Sequence, residues 1–189
     1  MSFALYDTES NHKIKEALRY AASKRVLLFA AASNDRLLES NPIAFPASDP
    51  HVFCIFSEET PSFRSKFSPL GRKLAKNFSI LGEDVDGAWP LKHNDKKETR
   101  RETGTSCATP IAAGVAALVL EYSKQKGNRK VNEPDSLRDR DVMERVLFEC
   151  MTDKNEDSEY NLLKPWMLFK PGGDRTAISV TLSNLVEGG

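Results

Sequence analysis

The chain has few cysteines, few histidines, no net charge and no long hydrophobic run, and each scarcity removes a class of function. Its 189 residues include three cysteines, Cys54, Cys107 and Cys150. An odd count at no metal-site spacing excludes a complete disulfide framework and a cysteine-built zinc site. Cys54, in the strand pattern Val52-Phe53-Cys54-Ile55-Phe56, and Cys150, closing an amphipathic segment, read as small buried apolar residues. The 27 basic and 27 acidic side chains cancel, so neither a nucleic acid nor a membrane surface is implied as partner. The basic cluster Lys92 to Arg101 is interleaved with Asp95 and Glu98 and followed by Glu102, and reads as a solvated loop. The longest apolar stretch, Ile111–Leu120, is too short to span a bilayer. The opening Met-Ser-Phe-Ala-Leu-Tyr-Asp lacks the basic and apolar regions of a secretory signal, which favours an intracellular protein. No carboxylate spacing suggests calcium, and no cofactor is expected.

What remains is a pattern of alternating helices and strands. Apolar Ile14, Ala17, Leu18 and Ala21 recur at helical spacing over Thr8–Ser23. Arg25–Ala31 is an apolar run of strand length, and Val52–Ser57 and Phe78–Leu81 follow as further strands. A small-residue helix covers Ile111–Ser123, where the alanines and Gly114 would allow close approach to a sheet. The expected fold is α/β, a three-layer, mostly parallel sheet flanked by helices. In such sheets ligands gather outside the carboxyl ends of the strands, and Asn34 falls just past one. After Gly127 a polar linker runs to Pro134, helical spacing returns over Asp135–Met151, and Tyr160–Phe169 is again apolar. Residues 1–127 are expected to form the body, and 128–189 a linker, helix and tail packing on the same domain.

The segment Gly104-Thr105-Ser106-Cys107-Ala108-Thr109-Pro110, followed by Ile111–Leu118, carries the most chemistry. A glycine turn delivers one serine to the mouth of an apolar helix. The unpaired N–H groups and positive dipole end there would stabilise negative charge developing beside Ser106. The plainer alternative makes Thr109 an N-cap and Pro110 the first helical residue, an ordinary helix start. Cys107 shares the helix mouth, where a thiol pKa can fall, but reads as packing.

This segment closely resembles the active-serine segment of the subtilisin-like serine peptidases, Gly-Thr-Ser-x-Ala-[Ser/Thr]-Pro. Two further matches occur in the family's order. Val26–Asp35 resembles the strand and loop bearing the asparagine whose amide donates to the oxyanion, which maps to Asn34. Ile43–Val52 resembles the aromatic-Pro-Ala/Gly loop leading into the next strand. The resemblance implies a serine-type endopeptidase with Ser106 as nucleophile and Asn34 as oxyanion donor. Its substrate would be a polypeptide held as an added strand against Ser2, Phe3 and Ala4. Ala4 stands where the family has glycine. The segments Ala30-Ala31-Ala32 and Phe45-Pro46-Ala47 match the pocket for the side chain before the cleaved bond, making Ala31, Ala32, Phe45 and Pro46 substrate-binding candidates. The bond before Pro46 is often cis in the family. Matches are strong over residues 1–123 and looser beyond, where the tail resembles the end of peptidase domains in some fungal intracellular multidomain proteins.

The departure from the family is equally specific. Its triad runs Asp, His, Ser along the chain, and nothing before Asn34 reads as Asp-[Ser/Thr]-Gly or His-Gly-Thr-His. The sequence is expected to begin inside the catalytic domain, incomplete at its N-terminus. His12 reads as the polar start of a helix, His51 as part of a turn away from the serine, and His93 as part of the charged loop. None carries a visible orienting partner. Asp84 and Asp86 read as turn residues. In subtilisin itself, losing the serine or histidine costs about two-million-fold in turnover, leaving roughly 10³–10⁴ over water. Loss of the oxyanion amide costs about 10²–10³. The chain alone is therefore expected to be a very poor peptidase. Either it is the C-terminal part of a working endopeptidase whose missing N-terminal portion is its partner, or it is a non-catalytic remnant that binds peptides or proteins.

Overall fold

A computed structural model of the chain describes residues 1, 11–35, 43–60, 63–73, 75–89, 99–125, 131–153 and 159–188. Helix α1 (His12–Ser23) leads into strand β1 (Leu28–Ala31), and β2 (Val52–Thr60), β3 (Phe63–Arg64) and β4 (Phe78–Leu81) follow. Strands β5 (Val85–Ala88) and β6 (Thr99–Glu102) precede helix α2 (Thr105–Lys124). Then come a 3-10 turn at Pro134–Arg138, helix α3 (Arg140–Met151), β7 (Asn161–Leu162), a second 3-10 turn at Pro165–Met167 and helix α4 (Arg175–Glu187). The main sheet has the order β1-β2-β4-β7, with β3 pairing antiparallel to β2. The β1–β2, β2–β4 and β4–β7 ladders are all parallel, as the alternation of helices and strands implies. β5 and β6 form a separate antiparallel pair.

Because side chains alternate across a strand, the sheet separates two cores. Phe29, Phe53, Ile55, Phe78 and Ile80 face α2 and α3, meeting Ala108, Ala112, Ala116, Val119, Met143, Val146 and Leu147. Phe29 stacks on Phe53 with ring centroids 4.8 Å apart. Ala30, Ala32, Val52 and Phe56 face the other way, with Leu18 of α1, Ile43, Phe45, Ala47 and Tyr160. These are the three layers, α1, sheet, and α2 with α3. Leu182 and Val186 of α4 join the first core.

Several elements depart from the sequence expectation for identifiable reasons. α2 begins at Thr105 rather than Ile111, because the Cys107 and Ala108 amides already donate to the Gly104 carbonyl at 2.9 and 3.2 Å. Pro110 therefore lies inside the helix, and the Thr109 hydroxyl donates back to the Thr105 carbonyl at 2.7 Å instead of capping. At 20 residues, α2 is long and apolar enough by length and composition to cross a membrane. Its inward face packs on β1, β2 and β4. Gly114 does not approach the sheet: a Cβ there would meet nothing within 4 Å, and the contact is made by Ala108, Ala112 and Ala116. β1 starts at Leu28 rather than Arg25, since Arg25 turns the chain at φ 56° and its amide donates to Ala22 at 2.8 Å. The Asp135–Met151 helix breaks at Asp139, which is extended and pairs with Arg25 at 3.0 Å. Asp86 is not a turn residue but part of β5, pairing with Arg101 of β6 at 3.2 Å. The end of the expected solvated loop, from Thr99, is thus a strand. β3, β5, β6 and α4 were not legible in the sequence.

The carboxyl ends of β2 and β4 carry a buried polar layer. Ser57 Oγ and Ser65 Oγ lie 2.8 Å apart, the Ser57 amide donates to Ser68 Oγ at 3.2 Å, and Ser79 Oγ donates to the Glu58 carboxylate. Gly82 lies over this layer without room for a side chain. A Cβ there would stand 2.4 Å from Ser57 Oγ and 2.8 Å from the Gly104 carbonyl oxygen. Gly82→Ala is accordingly expected to destabilise the fold by about 1–3 kcal/mol, read as a lower denaturant midpoint. Burial pushes the Cys54 thiol from 9.0 up to about 12, against a smaller opposing effect of Arg72. A raised folded pKa gives stability that is full below pH 9.0 and falls as pH climbs toward 12. Unfolding midpoints measured across that range should drop less steeply for Cys54→Ala than for the native chain.

Candidate active site

The site forms where the carboxyl end of β1 meets the first turn of α2. Beyond Ala31 the chain passes through Ser33, held at φ 149°, a conformation a side chain rarely adopts and one costing about 1–3 kcal/mol where it occurs. Asn34 follows at a bend and meets the helix. Asn34 Oδ1 accepts the Thr105 amide at 2.8 Å and the Thr105 hydroxyl at 2.9 Å. Gly104, the residue at the N-cap position, has no side chain to offer, so Asn34 caps α2 from another element. Two donors on its oxygen fix the amide plane and turn Nδ2 the other way.

Nδ2 faces the space above Gly104. A Cβ on Gly104 would stand 2.8 Å from Asn34 Nδ2 and 3.0 Å from Ser106 Oγ. Asn34 Nδ2 and Ser106 Oγ therefore crowd the same side of the buried Gly104 α-carbon, where no side chain fits. Gly104 also has φ 154°, and its amide donates to the Gly82 carbonyl at 2.8 Å while the Gly82 amide donates to the Glu58 carbonyl at 3.0 Å. These two bonds anchor the turn to the ends of β4 and β2. A helix leaves its first four N–H groups to acceptors outside the ladder. That of Thr105 goes to Asn34 Oδ1 and that of Cys107 to the Gly104 carbonyl, while the Ala108 amide makes the first bond of the ladder to the same carbonyl. Ser106 is half-buried and Asn34 exposed.

The other sequence candidates are placed as follows. Ala31, Ala32 and Phe45 are 4%, 0% and 1% exposed, and Pro46 is buried with them. Their side chains fill core rather than line an opening. The Phe45–Pro46 bond is cis. Ser2, Phe3, Ala4 and His93 lie outside the described residues. The Ala31 amide does donate to the Met1 carbonyl at 3.2 Å, and the Met1 amine donates to the Phe29 carbonyl. Residue 1 thus lies along the outer edge of β1. His12 is exposed on α1, 3.7 Å from Glu16. His51 does have an orienting partner, since its Nδ1 is 2.9 Å from Asp49 Oδ1. It precedes β2, however, and Val52 is paired with Leu28 at the amino end of β1. His51 therefore stands at the opposite end of the sheet from Asn34. Sequence reasoning missed Thr105 and Gly82. The only signal for Thr105 was its hydroxyl beside the serine, and for Gly82 a glycine just past a strand.

The Subtilase family profile matches residues 1–158. Over 125 residues the chain is 28% identical to the major intracellular serine protease of Bacillus subtilis (strain 168), covering 65% of this chain and 37% of that protein. It is 27% identical over 128 residues to thermitase of Thermoactinomyces vulgaris, covering 68% of this chain and 42% of that protein. The chain thus spans less than half the length of either relative. Among solved structures, the prenylagaramide maturation protease PagA superposes with a TM-score of 0.65 at 26% identity, covering 88% of this chain and 58% of that one. The patellamide maturation protease PatA gives 0.66 at 23% identity, covering 100% and 62%, a likeness of fold. With the profile spanning most of its length and an α/β fold shared with these proteases, the chain belongs to the subtilase family of serine proteases.

Proposed function

We propose that this chain is the nucleophile- and oxyanion-bearing portion of a serine endopeptidase domain acting on polypeptides. The observation that supports it is that Asn34 Nδ2 and Ser106 Oγ converge on one side of Gly104, 2.8 Å and 3.0 Å from where a Cβ of that residue would stand. A carbonyl carbon attacked by Ser106 would develop its oxyanion beside Asn34 Nδ2, at the positive end of α2. Thr105 is the positioning residue. By occupying Oδ1 it commits Nδ2 to donation before substrate arrives, so little reorganisation accompanies the charge. A polypeptide would lie as an added strand by Ser2–Ala4, beyond the β1 edge. The segments containing Ala31, Ala32, Phe45 and Pro46 would form the pocket through their backbone. Residues 128–189 act as part of the same domain, supporting α2 through the core shared with α3 and α4.

The acid and base of the triad are the part these residues do not offer in the family's order. His51 stands at the far end of the sheet and His12 on the outer surface of α1. The 189 residues alone are therefore proposed to lack efficient peptidase activity, retaining on the order of 10³–10⁴ over water, the remnant known from subtilisin itself. Reaction of the purified chain with a fluorophosphonate probe, beside Ser106→Ala, tests this. Little or no Ser106-dependent labelling of the folded chain is expected. Rapid labelling that disappears in Ser106→Ala would show that an activating base is present and overturn the proposed inactivity. The capping role of Asn34 has its own readout, independent of turnover. Asn34→Ala should lower stability by about 1 kcal/mol, while Asn34→Asp, whose carboxylate still accepts from Thr105, should not. Equal losses in both variants, measured by chemical denaturation, would count against the assignment of Oδ1 to Thr105.

A further inference from the structure

The chain leaving β1 is held on either side of one strained residue. Ala32, fully buried, donates its amide to the Ile55 carbonyl at 3.0 Å and accepts the Ala44 amide at 2.8 Å. Up to that point the backbone belongs to the sheet layer. Asn34 is fastened in turn by Thr105 of α2. Ser33 is the link between these anchors. Its φ of 149° lies well beyond the 56°, 51° and 44° of Arg25, Asp84 and Glu133, which fall in the φ range of left-handed turns. Gly104 has a similar φ, 154°, so both such residues adjoin the Asn34–Thr105 contact. At 104 the residue is glycine; at 33 a side chain bears the strain. The Ser33 hydroxyl oxygen accepts the Asp35 amide at 3.0 Å, closing a ring that contains the Asn34 backbone. That bond is exposed to water, and a neutral exposed bond returns less than such strain takes. Stability therefore does not account for serine here, whereas direction does.

We propose that Ser33 is a second positioning residue for the Asn34 amide, its hydroxyl fixing the Asn34 backbone as Thr105 fixes the side chain. The proposal rests on the reading of Asn34 as oxyanion donor and deepens it. Asn34 is exposed, so core packing does not set its orientation. Two bonds converging on Oδ1 hold the far end of the side chain, but an amide held at one atom can still swing about it. Holding the Asn34 backbone from Ser33 removes that swing and leaves Nδ2 one direction, toward the side of Gly104 where Ser106 Oγ stands. A donor fixed at both ends before charge develops is the preorganised kind that electrostatic stabilisation requires. Three substitutions separate the contributions of Ser33. Alanine keeps the strain and loses the bond, and glycine loses both. Asparagine tolerates positive φ better than most residues, and its side-chain oxygen can accept the same amide two residues on.

Amide hydrogen exchange, read residue by residue by NMR on the 189-residue chain, tests the proposal. The Thr105 amide donates to Asn34 Oδ1, so its protection reports opening of that contact. Protection of Val119, buried in α2, reports opening of the helix as a whole. Ser33→Gly should lower protection at Thr105 about tenfold, with protection at Val119 and the denaturant midpoint near those of the native chain. Ser33→Ala should lose Thr105 protection similarly and lower the midpoint as well, because its strain remains. Ser33→Asn should restore most of the Thr105 protection. A residue acting on stability alone would move Thr105 and Val119 together. Native protection at Thr105 in Ser33→Gly, parallel losses at both amides in that variant, or no recovery in Ser33→Asn would each overturn the proposal. Asn34→Ala distinguishes this failure from failure of the underlying reading. Thr105 protection lost there but kept in Ser33→Gly rejects Ser33 alone, whereas protection kept in Asn34→Ala rejects the Asn34–Thr105 contact itself.

Discussion

The contact on which this site depends is the pair of hydrogen bonds from Thr105 to the side-chain oxygen Oδ1 of Asn34, 2.8 Å from the amide and 2.9 Å from the hydroxyl. It joins the end of β1 to the start of α2, across 71 residues of chain. Its structural effect is to cap a helix whose own N-cap residue has no side chain. Its chemical effect is to orient the amide nitrogen of Asn34 toward the space beside Ser106. One interaction thus stabilises the helix and preorganises a donor, and neither effect is available without the other.

Glycine at 104 and at 82 makes the contact possible. The bare α-carbon of Gly104 avoids a clash with Asn34 Nδ2 and Ser106 Oγ, and its amide's bond to the Gly82 carbonyl sets the turn against the sheet. Gly82 in turn lies within touching distance of Ser57 and of the Gly104 carbonyl. The ends of β1, β2 and β4 are thereby tied to one helical turn. The alanines of α2, seated over Phe53, Ile55 and Ile80, hold that turn at the height of the strand ends. α2 is thus both the central support of one core and the carrier of Ser106, while Gly114, Ala117 and Leu118 on its opposite face are exposed.

Much of this was legible in the residues. Apolar runs of strand length and helical spacing located β1, β2, β4, α1 and the body of α2, because these elements are packed into the core and burial demands apolar side chains. Ser106 and Asn34 were visible from the resemblance of their surroundings. β5, β6 and α4 were not, since β5 and β6 are largely exposed and exposure imposes no pattern. The six residues of α2 before Ile111 were missed because Pro110 resembles a helix start. Only the bonds of Cys107 and Ala108 to Gly104 reveal that the turn is already helical.

The sequence by itself determined the alternation of strands and helices, the balance of charge, and the identity of a serine and an asparagine in recognisable surroundings. These follow from local spacing and side-chain chemistry, which need no knowledge of distant contacts. The tertiary structure decided which amide atom of Asn34 faces Thr105, that His51 with its Asp49 partner stands at the wrong end of the sheet, and that Gly114 faces outward. Each of these is a question of direction between elements far apart in the chain. Direction is set by how the strands align and the helix rotates when both faces of the sheet are filled, and no segment carries that information alone.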